Sequence, residues 1–234
     1  VNNMRFLGLK LFNLASYLYL LVASLFLAGD FYRQNADSVY VMPAPFAFSI
    51  WGLIYLLLFL FIMKSFFADE TLNDIIKQIG LWFPISMILS GTSVILGTTP
   101  SILFISLSLL TLCVVYTNLR RVGSPRTYRA PFSIYLGWTS IATIVAAFTV
   151  LKANGIEELF GIEELGWSIL LLTVGGLIAI AFFFLQKDYL FPLVFVWGYG
   201  AIFAYQENEL IRFITAAFVI ILLFIMAYGW LRKK

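Results

Sequence analysis

The sequence predicts an all-α, polytopic transmembrane bundle of about eight helices, and three observations carry that reading. The 234 residues are 62% hydrophobic and only 12% charged, with a mean hydropathy of +0.97. A soluble domain of this size cannot hide so much apolar surface, so lipid must be the solvent for most of it. A hydrocarbon core of roughly 30 Å needs about 20 apolar residues in a helix. Runs of that kind lie near 6–29, 45–67, 79–97, 101–118, 131–151, 167–186, 189–205 and 210–231. The basic residues then segregate. With eight spans, one side carries Arg5, Lys10, Lys64, Lys77, Arg120, Arg121, Arg126, Arg129, Lys187, Arg232, Lys233 and Lys234, twelve of the 15 Lys and Arg residues; the other carries Arg33, Lys152 and Arg212. That asymmetry places both termini on the cytoplasmic side of a bacterial inner membrane or its equivalent.

The first run follows Arg5 with no small-residue cleavage pattern and reads as a span, not a removable signal peptide. Lys10 in this run and Lys64 at the end of the second lie close enough to the boundary to snorkel. The second run is preceded by Pro43 and Pro45, where proline is tolerated ahead of a helix. Phe48, Trp51 and Tyr55 follow at i, i+3 and i+7, on one helical face. The third run carries Ser86, Ser90, Thr92 and Ser93, and Gly97-Thr-Thr-Pro100 reads as a tight turn before the fourth.

Arg120, Arg121, Arg126 and Arg129 cluster around Gly123-Ser-Pro125 after the fourth run. Topology explains this cluster, and contact with anionic lipid head groups is a second reading. In the fifth run Pro131 precedes Trp138, with Ala142 one turn further on the same face and Thr143 beside it. The loop between the fifth and sixth runs holds Gly155-Ile-Glu-Glu-Leu159 and then Gly161-Ile-Glu-Glu-Leu165. The expectation here is a short outward amphipathic helix with its acids in water and no bound metal. Gly175, Gly176, Gly198 and Gly200 mark close helix contacts in the last three runs.

Histidine is absent and Cys113 is the single cysteine, which removes the usual metal ligands and the usual neutral-pH proton carrier. No carboxylate falls mid-span, as an ion-coupled carrier usually requires, and no lysine lies deep in a late helix for a Schiff base. No nucleophile or acid–base pair stands out, so no catalytic residue is assigned and the reading leans away from an enzyme. Nothing in the composition suggests nucleic acid.

Pro43, Pro45, Phe48, then Trp51-x-x-Ile54-Tyr55, together with Pro131 and Trp138-x-Ser140-x-Ala142-Thr143, resemble the translocator protein/tryptophan-rich sensory protein (TspO) family. The likeness covers residues 1–152, the family's five-helix unit, and divides the chain into that unit, an acidic extracytoplasmic loop (153–166) and additional C-terminal helices (167–234). The chain departs from the family pattern in several places. The step from Phe48 to Trp51 is one residue shorter than usual, that from Pro131 to Trp138 is longer, and Ala146 stands where the family has Asn. The third helix also lacks the family's Asn and Trp pair, so the resemblance is to a divergent, extended branch.

The resemblance implies an intramembrane pocket lined by Phe48, Trp51, Tyr55, Trp138, Ala142 and Thr143, with the first loop as a lid. In that loop Arg33 would meet a propionate-like group, a solvated linker being the other reading of it. The implied ligand is a hydrophobic aromatic molecule, a porphyrin or other tetrapyrrole first, and no cofactor is required. Flat π-systems gain roughly 0.5–1.5 kcal/mol per ring pair beyond burial. The resemblance also implies a homodimer among membrane lipids, and it permits photochemistry on a bound porphyrin. Two other classes stay open: a permease for lipophilic solutes, and a structural or assembly protein whose aromatic faces are helix seams.

Overall fold

The computed structural model describes residues 6–27 and 39–232. Among these, α1 (Leu7–Val22) continues into a π-helical turn (Ala23–Leu27), and a 3-10 turn (Pro45–Ser49) leads into α2 (Ile50–Ser65). Then follow α3 (Glu70–Ile79), α4 (Trp82–Ile95), α5 (Thr98–Arg121) and α6 (Arg126–Ala153). After α6 come a two-stranded ribbon, β1 (Glu158–Leu159) and β2 (Ile162–Glu163), and then α7 (Glu164–Gln186), α8 (Leu190–Tyr205) and α9 (Glu209–Leu231).

The chain is an all-α transmembrane bundle, with the ribbon as its only described sheet. Among the described residues, six helical segments are long and apolar enough to cross a membrane, and α3 with α4 makes a seventh if that pair, bent by 56°, counts as one. The remaining apolar helix, α8, has 16 residues. The helix at α3 was hidden from a search for apolar runs because only one side of it is apolar. Leu72, Ile75, Ile76 and Ile79 are buried while Glu70, Asp74 and Lys77 face outward. Asp69 starts it by accepting a hydrogen bond from the Leu72 amide at 2.8 Å. Gly80, at φ 50°, lets the chain turn into α4.

Contacts divide the chain into two compact units. The first comprises Val1–Tyr32 and Ile50–Thr139, the second Arg33–Ser49 and Ser140–Lys234. In the first unit α4 packs between α1 and α5. A side chain at Gly91 would meet Tyr19 and Ala23, so its absence lets α1 approach, and the Tyr19 and Thr92 hydroxyls join at 2.9 Å. Phe61, Phe83 and Phe132 meet edge to face with centroids 5.0–5.8 Å apart. The two basic residues expected to snorkel behave differently. Lys64 is exposed, with Nζ 4.8 Å from the centre of the Tyr128 ring, whereas Lys10 is wholly enclosed. Lys10 lies on the face of α1 that also buries Asn13, Tyr17 and Leu20, so its position on the helix turns it inward.

In the second unit α8 is the centre. Tyr199 donates from its hydroxyl to the Leu172 carbonyl at 2.5 Å, and the bare faces of Gly175 and Gly176 admit Tyr199 and Phe218. The same helix fastens the proline-rich segment ahead of α2. The Ala44 amide donates to the Ala201 carbonyl at 3.1 Å, and Trp197 Nε1 to the Ala47 carbonyl at 3.0 Å. Gln206 Nε2 donates to the carbonyls of Val39 (3.1 Å) and Met42 (2.8 Å). Pro43 and Pro45 carry no N–H to donate, so beyond the turns that the Met42 and Ala47 amides close on Val39 and Ala44, side chains supply further donors to this stretch.

The loop expected as an amphipathic helix is instead the β1–β2 ribbon, with Glu158 opposite Glu163 and Leu159 opposite Ile162. Glycines decide this. Gly155, at φ 67°, ends α6, with the Ile156 amide reaching back to the Leu151 carbonyl at 3.0 Å. Phe160 (φ 54°) and Gly161 (φ 75°) form the ribbon's two-residue turn, the positive angles such tight turns need. Glu164 then opens α7 and accepts from the Tyr40 amide at 2.9 Å and from Lys152 Nζ at 3.1 Å.

A Cβ at Gly176 would lie within 2.5 Å of three Phe218 ring carbons, whereas one at Gly200 meets nothing within 4 Å. Gly176→Ala is therefore expected to cost about 1–3 kcal/mol, seen as a lower thermal unfolding midpoint in detergent, with Gly200→Ala unchanged or slightly stabilised.

Candidate functional site

The residues singled out from the sequence fall into both units. In the first, Trp51 and Tyr55 lie one turn apart on α2 and stack, with centroids 5.6 Å apart and planes 23° from parallel. Both are partly exposed. Trp51 also meets Tyr135 of α6 edge to face at 5.9 Å. Trp138, one turn beyond Tyr135, is buried. Phe48, in the 3-10 turn, and Ala142 and Thr143, on α6, belong to the second unit and are each partly exposed. Arg33 lies outside the described residues.

The structure thus joins Trp51 to Tyr55 and adds a residue the sequence reading passed over. The Tyr135 ring is buried and its hydroxyl lies 2.6 Å from Ser90 Oγ. Ser90 Oγ lies 2.7 Å from Ser108 Oγ, which donates to the Ser86 carbonyl at 3.0 Å. Since Ser108 spends its proton on that carbonyl, the consistent order is Tyr135 to Ser90 to Ser108 to Ser86, each hydroxyl donating once. On the other side of the pair, Tyr17 of α1 donates to the Tyr55 carbonyl at 3.0 Å.

Part of this cluster had a signal in sequence. Tyr135 sits at i−3 from Trp138, and Ser86 and Ser90 are i, i+4 neighbours, so each pair shares a face. Ser108 and Tyr17 had none, because nothing local reveals which helix a residue will meet. The cluster offers ring faces and neutral hydroxyls, a chemistry of π contact and hydrogen bonding. Removing the Tyr135 hydroxyl leaves a buried serine chain without its first donor.

The second unit holds an open cavity of about 980 Å³ whose wall includes Glu157, Glu158, Glu163, Glu164 and Glu207. Among the described residues that line it, the one cation is Lys152, which is tied to Glu164.

The family model described as TSPO-like protein matches residues 9–229. The chain belongs to the TSPO-like protein family. The match runs through α7, α8 and α9, so the helices that read as an addition to a five-helix unit lie inside the family's span. No curated protein matches the chain, and no solved structure does. Family and apolar helices together make this TSPO-like protein an integral membrane protein of TspO type.

Tyr135→Phe in the TSPO-like protein is expected to cost about 1–3 kcal/mol by orphaning the serine chain, read as a lower unfolding midpoint. A Ser108→Ala change made in that background should add less than it does alone, because both act on one network.

Proposed function

We propose that this TSPO-like protein binds a flat, hydrophobic aromatic ligand within the membrane, a porphyrin-like tetrapyrrole first, in order to sense or handle it. The observation that supports this most is the stacked Trp51–Tyr55 pair, braced from behind by Tyr135 and still partly exposed. An aromatic pair held this way presents a ready ring face, so little ordering cost remains when a second flat system arrives. In lipid the hydrophobic drive is weak, so stacking, shape and a few hydrogen bonds must supply discrimination. Tyrosine and tryptophan keep a polar atom for a ligand's carbonyl or carboxylate.

Trp138, one turn beyond Tyr135 on α6, belongs to the same reading, and binding needs no cofactor. The charge asymmetry supports cytoplasmic termini, and the family likeness supports a homodimer.

Tryptophan-fluorescence titration of the detergent-solubilised protein with protoporphyrin tests the site. Trp51→Phe and Trp138→Phe should each weaken binding roughly twofold to tenfold, the worth of one ring contact. Quenching curves that coincide with wild type in both variants would eliminate it.

A further inference from the structure

One face of α1 carries polar groups that the described residues leave without a partner. Lys10, Asn13 and Ser16 lie on three successive rungs, each about 4.5 Å further along the helix. Their exposures are 0%, 1% and 3%. Among the described residues, Lys10 Nζ, Asn13 Oδ1 and Ser16 Oγ have no hydrogen-bond partner. The next residue on this face, Tyr17, is satisfied through the Tyr55 carbonyl.

Buried polar atoms in folded proteins are nearly always bonded, and an enclosed ammonium without a counter-charge is among the costliest exceptions. The buried hydroxyls of Ser133, Thr149, Ser168 and Thr215 return to a carbonyl one turn back, and those of Ser86 and Ser93 to one three residues back. Ser16 makes neither bond, so its hydroxyl is left for whatever meets Lys10 and Asn13.

The three groups define a ligand. An ammonium asks for an oxyanion, an amide oxygen asks for a hydroxyl donor, and a serine hydroxyl serves either. We propose that this face of α1 is a head-group site for an anionic, hydroxyl-bearing molecule of the glycerophosphate type. Leu11 and Leu18, seven residues apart and exposed, share a face about 100° round α1 from Lys10, so an acyl tail has a place to lie on the Lys10 side of the site. A lipid and a free glycerophosphate share the head-group chemistry, and the experiment separates them. The site is independent of the aromatic cluster and stands or falls without a porphyrin.

Native mass spectrometry of the full chain in detergent, titrated with dioleoylphosphatidylglycerol or dioleoylphosphatidylcholine, reads the preference. Wild type is expected to hold one phosphatidylglycerol at least tenfold tighter than phosphatidylcholine. Lys10→Met should reduce that ratio below threefold and Lys10→Arg should retain it. Lys77→Gln, a change at an exposed cation, should leave it intact and so separate the site from diffuse attraction to surface charge. Asn13→Leu keeps the ammonium and should weaken phosphatidylglycerol binding at least threefold, which serves if the lysine variant fails to accumulate. In a parallel thermal unfolding series, a rise in midpoint with lipid alone assigns the site to a lipid, and an equal rise with glycerol phosphate assigns it to the free solute. No preference in wild type, or an undiminished preference in both Lys10→Met and Asn13→Leu, overturns the proposal. So does a series in which neither ligand moves the wild-type midpoint, since water alone would then fill the face.

Discussion

In hydrocarbon a main-chain N–H or C=O without a partner costs several kcal/mol, and this constraint bears on how the bundle departs from helix. The proline-bearing segment before α2 is the main case. Two residues there lack an N–H, and Gln206 donates to the carbonyls of Val39 and Met42 and Trp197 to that of Ala47. The same logic places serine and threonine hydroxyls back on their own helices, where they spare the chain a search for distant partners.

Aromatic side chains do in this molecule what aliphatic packing does in a water-soluble core. With lipid as apolar as leucine, contacts gain through ring geometry and close approach more than through water exclusion. Phe61, Phe83 and Phe132 lock the first unit edge to face, and Phe195 and Tyr199 do so in the second. Glycines at 91, 175 and 176 are the complement, since each leaves room for a ring to lie against bare backbone. The Trp51–Tyr55–Tyr135 cluster differs from these seams in being partly open and in ending on a hydroxyl chain. That difference is what supports the proposal of a ligand surface there.

The helical character, the positions of most spans and the family were legible in the residues themselves. Long apolar runs and the proline-led tryptophan motifs are local properties, so they survive without coordinates. The amphipathic α3 was not legible as a span partner because its apolar residues are spaced, not contiguous. The ribbon at 158–163 was not legible either. A Gly-Ile-Glu-Glu-Leu repeat fits a helix by composition, and the positive φ at Phe160 and Gly161 overrides that preference. At the site, Trp51 and Tyr55 share a face by spacing alone. Their brace, Tyr135, and its link to Ser90 and Ser108 depend on which helices become neighbours.

By itself the sequence determined the solvent, the long apolar helices and one aromatic face, because hydropathy and helical periodicity are read along a single chain. Tertiary structure alone decided that Lys10 turns inward rather than to the boundary, that α8 holds the segment ahead of α2, and that a serine chain ends on Tyr135. Each of these turns on contacts between residues distant in sequence, and such contacts leave no periodic trace in the order of the amino acids.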